Sequence, residues 1–193
     1  MPRAKCFDRE EALQKAMSAF WGRGYEATSI QDLVDCMGIN RGSLYDTFGG
    51  KHKLFLAALD QYTKQSLTRG SALKEDGNAA EILKEFLYGF MYRTLGDPEN
   101  RGCFVTNTAV ERSAYDEKCA TRLREYYGCI ENDLRNVIER GQKAGNISTT
   151  QSAPDLAIFF IGIMQGIRVM AKVRQDEASL RPMVDVALAA LDI

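Results

Sequence analysis

Apolar residues recur along almost the whole chain at the three- and four-residue spacing of helices buried on one side, while strictly alternating stretches are missing. The pattern predicts an all-α fold. Leu13, Ala16, Met17 and Phe20 mark one face of a first helix that Gly22 and Gly24 end. Before a second helix stands Thr28-Ser29-Ile30-Gln31, whose T-x-x-Q form is that of a capping box; Ile30, Leu33, Val34 and Met37 then give its apolar stripe, and Gly38 stops it. Asn40 is placed to cap a third helix, in which Leu44 and Phe48 turn inward and which Gly49-Gly50 closes. A fourth helix starts at Lys51 and carries Leu54, Phe55, Ala58, Leu59 and Tyr62.

The polar stretch SALKEDGN, Ser71 to Asn78, interrupts the periodicity. It separates an N-terminal domain over 1–50, with a linking helix over 51–69, from a larger helical bundle over 70–193. In the latter, Ile82, Leu83, Phe86, Leu87 and Phe90 mark a helix that ends before Pro98, and Cys103 to Arg112 a shorter one. Leu123, Tyr127, Ile130, Leu134, Val137 and Ile138 belong to a long helix that Gly145 terminates. Ser152-x-x-Asp155 opens an apolar helix, and Leu180, Met183, Val184, Ala187, Leu188 and Leu191 give the last, for about nine helices in all.

Composition narrows the function. The 193 residues can bury a sizeable core without disulfides or metals. A net charge of -1 provides no overall attraction to nucleic acid or membrane, so any such affinity must come from a local surface. The five cysteines form no C-x-x-C pair and His52 is the sole histidine, which removes zinc-site spacings; no metal or cofactor is expected. Free thiols in a reducing cytoplasm are expected from the odd count and the lack of a secretory signal. The run LAIFFIGIM at 156–164 is shorter than the roughly 18 to 20 residues of a membrane span and reads as a buried helix. Without a histidine for a Cys-His or Ser-His arrangement in the larger domain, the chain is expected not to be an enzyme.

The second and third helices are joined by Gly38-Ile39 alone, the spacing of a helix-turn-helix. Its third helix would enter a major groove N-terminus first, with Asn40 at its start. Arg41, Gly42 and Ser43 are then expected near base edges, and Tyr45 and Thr47 near phosphates. Lys51 and His52 open the next helix, where free N–H groups and the positive dipole end favour a phosphate.

The segment TSIQDLVDCMGINRGSLYDTFGGKHKLFLAAL resembles the DNA-binding signature of the TetR family of bacterial transcriptional regulators, the likeness extending over residues 8–60. It rests on Thr28 before the second helix, which the resemblance also implies as a DNA contact, the turn glycine, the small residues opening the third helix, the Leu-Tyr-x-x-Phe pattern, and Lys51 ahead of Leu54-Phe55. The resemblance implies an N-terminal domain that binds a palindromic double-stranded operator, and a C-terminal domain that dimerises and binds a small effector that ends repression. Asp46 departs from what phosphates favour; it either accepts from a cytosine amino group or orients Arg41, and the second is expected here. Basic and acidic residues balance over the first sixty positions, so the basic footprint must come from folding, with Arg3 and Lys5 as an arm on the DNA.

Candidate effector-pocket residues are Phe86, Phe90, Cys103, Tyr126, Tyr127, Ile130, Phe159 and Met164; helical spacing alone makes them core, and the family resemblance makes several of them a cavity lining. RGCFVTNTAVE at 101–111 and the G-x-x-x-x-A-K pattern of Gly166 to Lys172 resemble the branch of the family containing the N-ethylmaleimide reductase repressors. In that light Cys103 with Lys172 would be a thiol sensor of oxidants or electrophiles; otherwise Cys103 is a small hydrophobe and Lys172 a solvated charge. The segment DLAIFFIGIMQGIRVMA is apolar around too much of its circumference to have a wet face. Phe160, Gly162, Ile163, Gly166, Met170, Val184 and Leu188 are therefore expected at a homodimer interface of four helices. Such a dimer would set two recognition helices roughly 34 to 40 Å apart.

Overall fold

A computed structural model describes residues 7–191; Arg3, Lys5 and Cys6 lie outside the described residues. The described chain is all-α: α1 (Arg9–Arg23), α2 (Ile30–Met37), α3 (Arg41–Phe48), α4 (Lys51–Arg69), a 3-10 turn (Gly70–Lys74), α5 (Ala79–Leu95), α6 (Phe104–Arg112), α7 (Glu117–Ala144), α8 (Ala153–Ala171) and α9 (Glu177–Ala189).

These helices form two compact units, whose boundaries fall within α4, between α5 and α6, and within α7. The first comprises the chain up to Gln65 together with Cys103–Leu123. By packing, α6 and the start of α7 thus join the N-terminal helices, although the sequence reading grouped them with the C-terminal bundle. The reason is aromatic. Phe104 at the start of α6 is 1% exposed and meets the rings of Phe55 and Tyr62 of α4 edge-on, at 5.4 and 5.7 Å between centroids. Phe55 in turn packs edge-on against Phe20 of α1 at 5.0 Å. Edge-to-face contacts of this kind add to the apolar area that the rings bury.

Ser66–Gly102 and the residues from Arg124 onward make the second unit. Its core is built from Leu83, Leu87 and Met91 of α5, Leu134, Val137 and Ile138 of α7, Phe160, Met164 and Ile167 of α8, and Leu180, Val184 and Ala187 of α9. The α8 helix is longer than its most apolar run and passes a length-and-composition test for a membrane span. One side of it is nevertheless the spine of this core, with Ala157, Phe160 and Ile167 wholly buried.

That burial corrects two expectations for α8 and α9. Phe160 and Val184, expected at a dimer face, are 0% exposed within the single chain and are unavailable to a partner. Phe159, expected to line a pocket, is 41% exposed and points away from the core. Neighbouring residues on a helix are about 100° apart, so in an apolar run a one-residue difference in register exchanges the inner and outer aromatic. The outward stripe of α8 consists of Ile158, Phe159, Gly162, Val169 and Met170, and the exposed Val173 follows in the turn after it.

Candidate nucleic-acid interface

The turn between α2 and α3 follows from two residues. Gly38 adopts the left-handed conformation at φ 68° and its N–H reaches the carbonyls of Val34 and Asp35, a helix end at which a side chain would be strained. Ile39 is buried, and Asn40 then caps α3 by accepting from the Ser43 N–H at 2.8 Å. Leu33, Met37, Leu44 and Phe48 anchor the two helices inward.

The helix before this turn is capped one residue later than its sequence pattern indicated. Ser29, not Thr28, is the cap of α2: its hydroxyl accepts from the Asp32 N–H at 3.1 Å, while the Asp32 carboxylate accepts from the Ser29 N–H at 2.8 Å. Hydrogen bonding to Ser29 holds the Asp32 carboxyl below its ordinary value. Thr28, expected on the DNA side, is fully buried and donates its hydroxyl to the Gly24 carbonyl at 2.6 Å. It closes the α1–α2 loop and cannot reach a phosphate from there.

With its apolar side fixed, α3 presents Arg41, Gly42, Tyr45 and Asp46 to solvent, and Ser43 is half-buried beside them. The Arg41 guanidinium lies over the Tyr45 ring, 5.9 Å from its centroid. No ion pair joins Arg41 to Asp46 among the described residues, and the Tyr45 ring is the neighbour of the guanidinium. Thr47 also departs from expectation, because its hydroxyl oxygen is enclosed rather than offered to a phosphate. At the start of α4 the Lys51 ammonium sits 4.3 Å from the centroid of the Tyr25 ring.

His52, expected near a phosphate, is engaged with a protein partner. Its Nε2–H donates to the Asp116 carboxylate at 2.7 Å, in the link between α6 and α7. Asp116 also accepts from the backbone N–H groups of Lys118 and Cys119 at 3.1 and 3.2 Å, capping α7, and from Arg112 at 3.3 Å. Burial would raise the Asp116 carboxyl, but these hydrogen bonds outweigh it and hold the group well below the usual carboxylate range. Burial and the neighbouring Asp116 push the Cys119 thiol up to about 12. The ligand atoms of His52, Asp116 and Cys119 lie within 4.8 Å of one another, a grouping that metals sometimes use. Here the guanidinium and two N–H groups already neutralise the carboxylate, and the thiol is strongly protonated.

The same corner grips the α1–α2 loop. Glu111 of α6 accepts from the backbone N–H groups of Tyr25 and Glu26, each at 2.9 Å. Gly24 has φ 84°, and a Cβ there would stand 2.9 Å from a Glu111 oxygen, so the loop closes around that carboxylate. Arg112 pairs with Glu26 and lies 4.3 Å from the Tyr25 ring centroid. Sequence reading missed Glu111, Arg112 and Asp116 as partners of the N-terminal helices. A cap signal at Asp116 is visible locally, but its partner His52 is 64 residues away.

The other candidate residues fall as follows. Cys103 is buried in the first unit at the cap of α6, with the Tyr62 hydroxyl directed at its sulfur at 3.6 Å. In the second unit, Tyr126 shares a hydrogen bond with Ser66 at 2.8 Å and Tyr127 donates to Gln165 at 3.2 Å. Phe86, Phe90 and Met164 are buried there, Ile130 packs against the same core, and the largely buried Arg168 lies 4.8 Å from the centroid of Phe90. Lys172 is exposed, and its stem passes 3.1 Å from where a Cβ on Gly102 would stand. Ile163, Gly166 and Leu188 are half-buried, Gly166 lying under the Met183 methyl.

Comparison with known proteins places this geometry. Residues 12–58 match the family described as bacterial regulatory proteins, tetR family, and residues 79–186 match the tetracyclin repressor-like C-terminal domain. The chain is 32% identical to the uncharacterized HTH-type transcriptional regulator YezE of Bacillus subtilis, with all of both chains covered. It is 31% identical to the HTH-type transcriptional repressor ComR of Escherichia coli, over 96% of this chain and 88% of that one. Among solved structures, the regulator CifR, as a cysteine mutant complexed with 26-bp operator DNA, superposes with a TM-score of 0.86 at 33% identity, covering 98% of this chain and 99% of that one. Reduced Escherichia coli NemR shares the fold, with a TM-score of 0.81 at 17% identity over 95% and 94% of the two chains. The chain belongs to the TetR family of bacterial regulatory proteins and is a DNA-binding transcriptional regulator of that type.

Proposed function

We propose that the protein is a homodimeric repressor that acts in the cytoplasm, binds a palindromic operator through α3 and Lys51, is released by a small-molecule effector, and performs no catalysis of its own. The observation that carries this reading is the outward row of Arg41, Gly42, Ser43 and Tyr45 on a helix whose opposite side is locked by Leu44 and Phe48. Arg41 reads base edges, and Tyr45 and Lys51 hold phosphates. Asp46, exposed and unpaired with Arg41, is free to accept from a base amino group.

The effector reading draws on the second unit, whose interior contains both aromatic rings and a few polar groups, the ingredients of small-molecule sites. Tyr126, Tyr127, Gln165 and Arg168 supply the polar groups, and Phe86, Phe90 and Met164 the apolar ones. Effector and operator then compete through linkage, each weakening the other by the same factor. The test is a mobility-shift assay: Arg41→Ala should lose about 1–3 kcal/mol of operator affinity and relax sequence preference. Unchanged affinity and preference would sink this docking.

A further inference from the structure

The DNA-reading helices are gripped at two places by one short stretch of chain. Ahead of α2, the carboxylate of Glu111 holds the N–H groups of Tyr25 and Glu26, and Arg112 pairs with Glu26. After α3, Asp116 holds His52 in the first turn of α4, adjacent to Lys51. Arg112 joins the two grips, since it bonds Asp116 and lies over the Tyr25 ring, the ring that also carries the Lys51 ammonium. Between the gripped points run only the helix-turn-helix and its flanking turns. A hydrogen-bonded, partly desolvated ionic network adds little net stability, while each of its bonds ties the position of one element to that of another.

From this geometry we infer that Glu111, Arg112 and Asp116 are positioning residues for DNA binding, which hold α3 and Lys51 in register with one another without touching DNA. The inference rests on the docking proposed above and goes beyond it, because it assigns operator affinity to residues sixty and more positions from the recognition helix. Loss of the clamp leaves the apolar anchors of α2 and α3 in place but lets the phosphate contact of Lys51 and the base contacts of Arg41 drift apart.

The test uses the full chain and a duplex recovered by the wild-type protein from a random-sequence pool, with affinity measured by fluorescence anisotropy across a salt series. Glu111→Ala and His52→Ala are expected to weaken binding about tenfold and to make the salt slope shallower by about one unit, as for a lost phosphate contact. Glu111→Gln, which keeps one acceptor oxygen, and His52→Gln, which keeps an N–H donor, should recover part of both. Circular dichroism checks that each variant is folded; His52 is 37% exposed at its side chain, so its replacement tests the Asp116 contact even where Asp116→Asn fails to fold. Wild-type affinity and slope in folded Glu111→Ala and His52→Ala would overturn the inference, and so would an affinity loss with an unchanged slope. Arg41→Ala, measured in parallel, separates this from the docking itself: if it too binds as wild type, the docking is wrong.

Discussion

Asp116 shows how much one side chain can be made to do: it caps α7, pairs with His52, receives Arg112 and adds to burial in raising the Cys119 thiol. Its folded carboxyl lies below the ordinary unfolded value of about 3.9, so its contribution to stability is complete above that pH and disappears as pH falls through the folded value. Wild type should therefore lose stability on acidification from pH 5 to pH 2 more steeply than Asp116→Asn, which at neutral pH should be less stable by about 1–3 kcal/mol. Urea titrations at several pH values check both parts; parallel curves would show that Asp116 is not the linked group. Residues of this kind are where sequence reading reached its limit. Asn40 was legible as a cap because cap and capped N–H are three residues apart. Thr28 and Ser29 were confused because both hydroxyls stand before the same apolar stripe, and only the backbone decides which one faces the helix. His52 looked like a phosphate ligand because nothing nearby in sequence announces Asp116.

Helices whose inner and outer sides differ in polarity were readable, and those that are apolar all round were not. In α2 and α3 the inward Leu33, Met37, Leu44 and Phe48 alternate with charged or small residues, so the pattern shows directly which side faces out. Around α8 nearly every side is apolar, and periodicity cannot choose between Phe159 and Phe160. Tertiary packing makes that choice, and it leaves Ile158, Phe159, Val169, Met170 and Val173 outside. On α9 the exposed Val186 adds to the apolar surface. If a second copy covers this surface, Phe159→Asp with Val169→Asp should convert the dimer to a folded monomer in sedimentation experiments and weaken palindrome binding sharply, since two linked half-sites become one. A double variant that remains dimeric would place the interface elsewhere.

At the scale of the whole chain, the first compact unit is discontinuous: residues 66–102 intervene between its two pieces. The polar stretch at 71–78 is a break in periodicity, but the first unit ends earlier, at Gln65 within α4, and composition gives no sign that the chain returns afterwards to finish the N-terminal unit. Phe55 and Tyr62, buried against Phe104, would be uncovered in a fragment ending at residue 70. Such a fragment is expected to melt less cooperatively and bind DNA more weakly than one ending at residue 123, as calorimetry and anisotropy would show. A stable, fully active 1–70 fragment would disprove the packing role of α6. The close fit of Gly24 around Glu111 has a consequence for engineering and for inheritance alike. The reading head is not a cassette: a chimera spliced at the linker would graft a keyhole without its key, and the transplant would succeed only if residues 103–123 travelled with it.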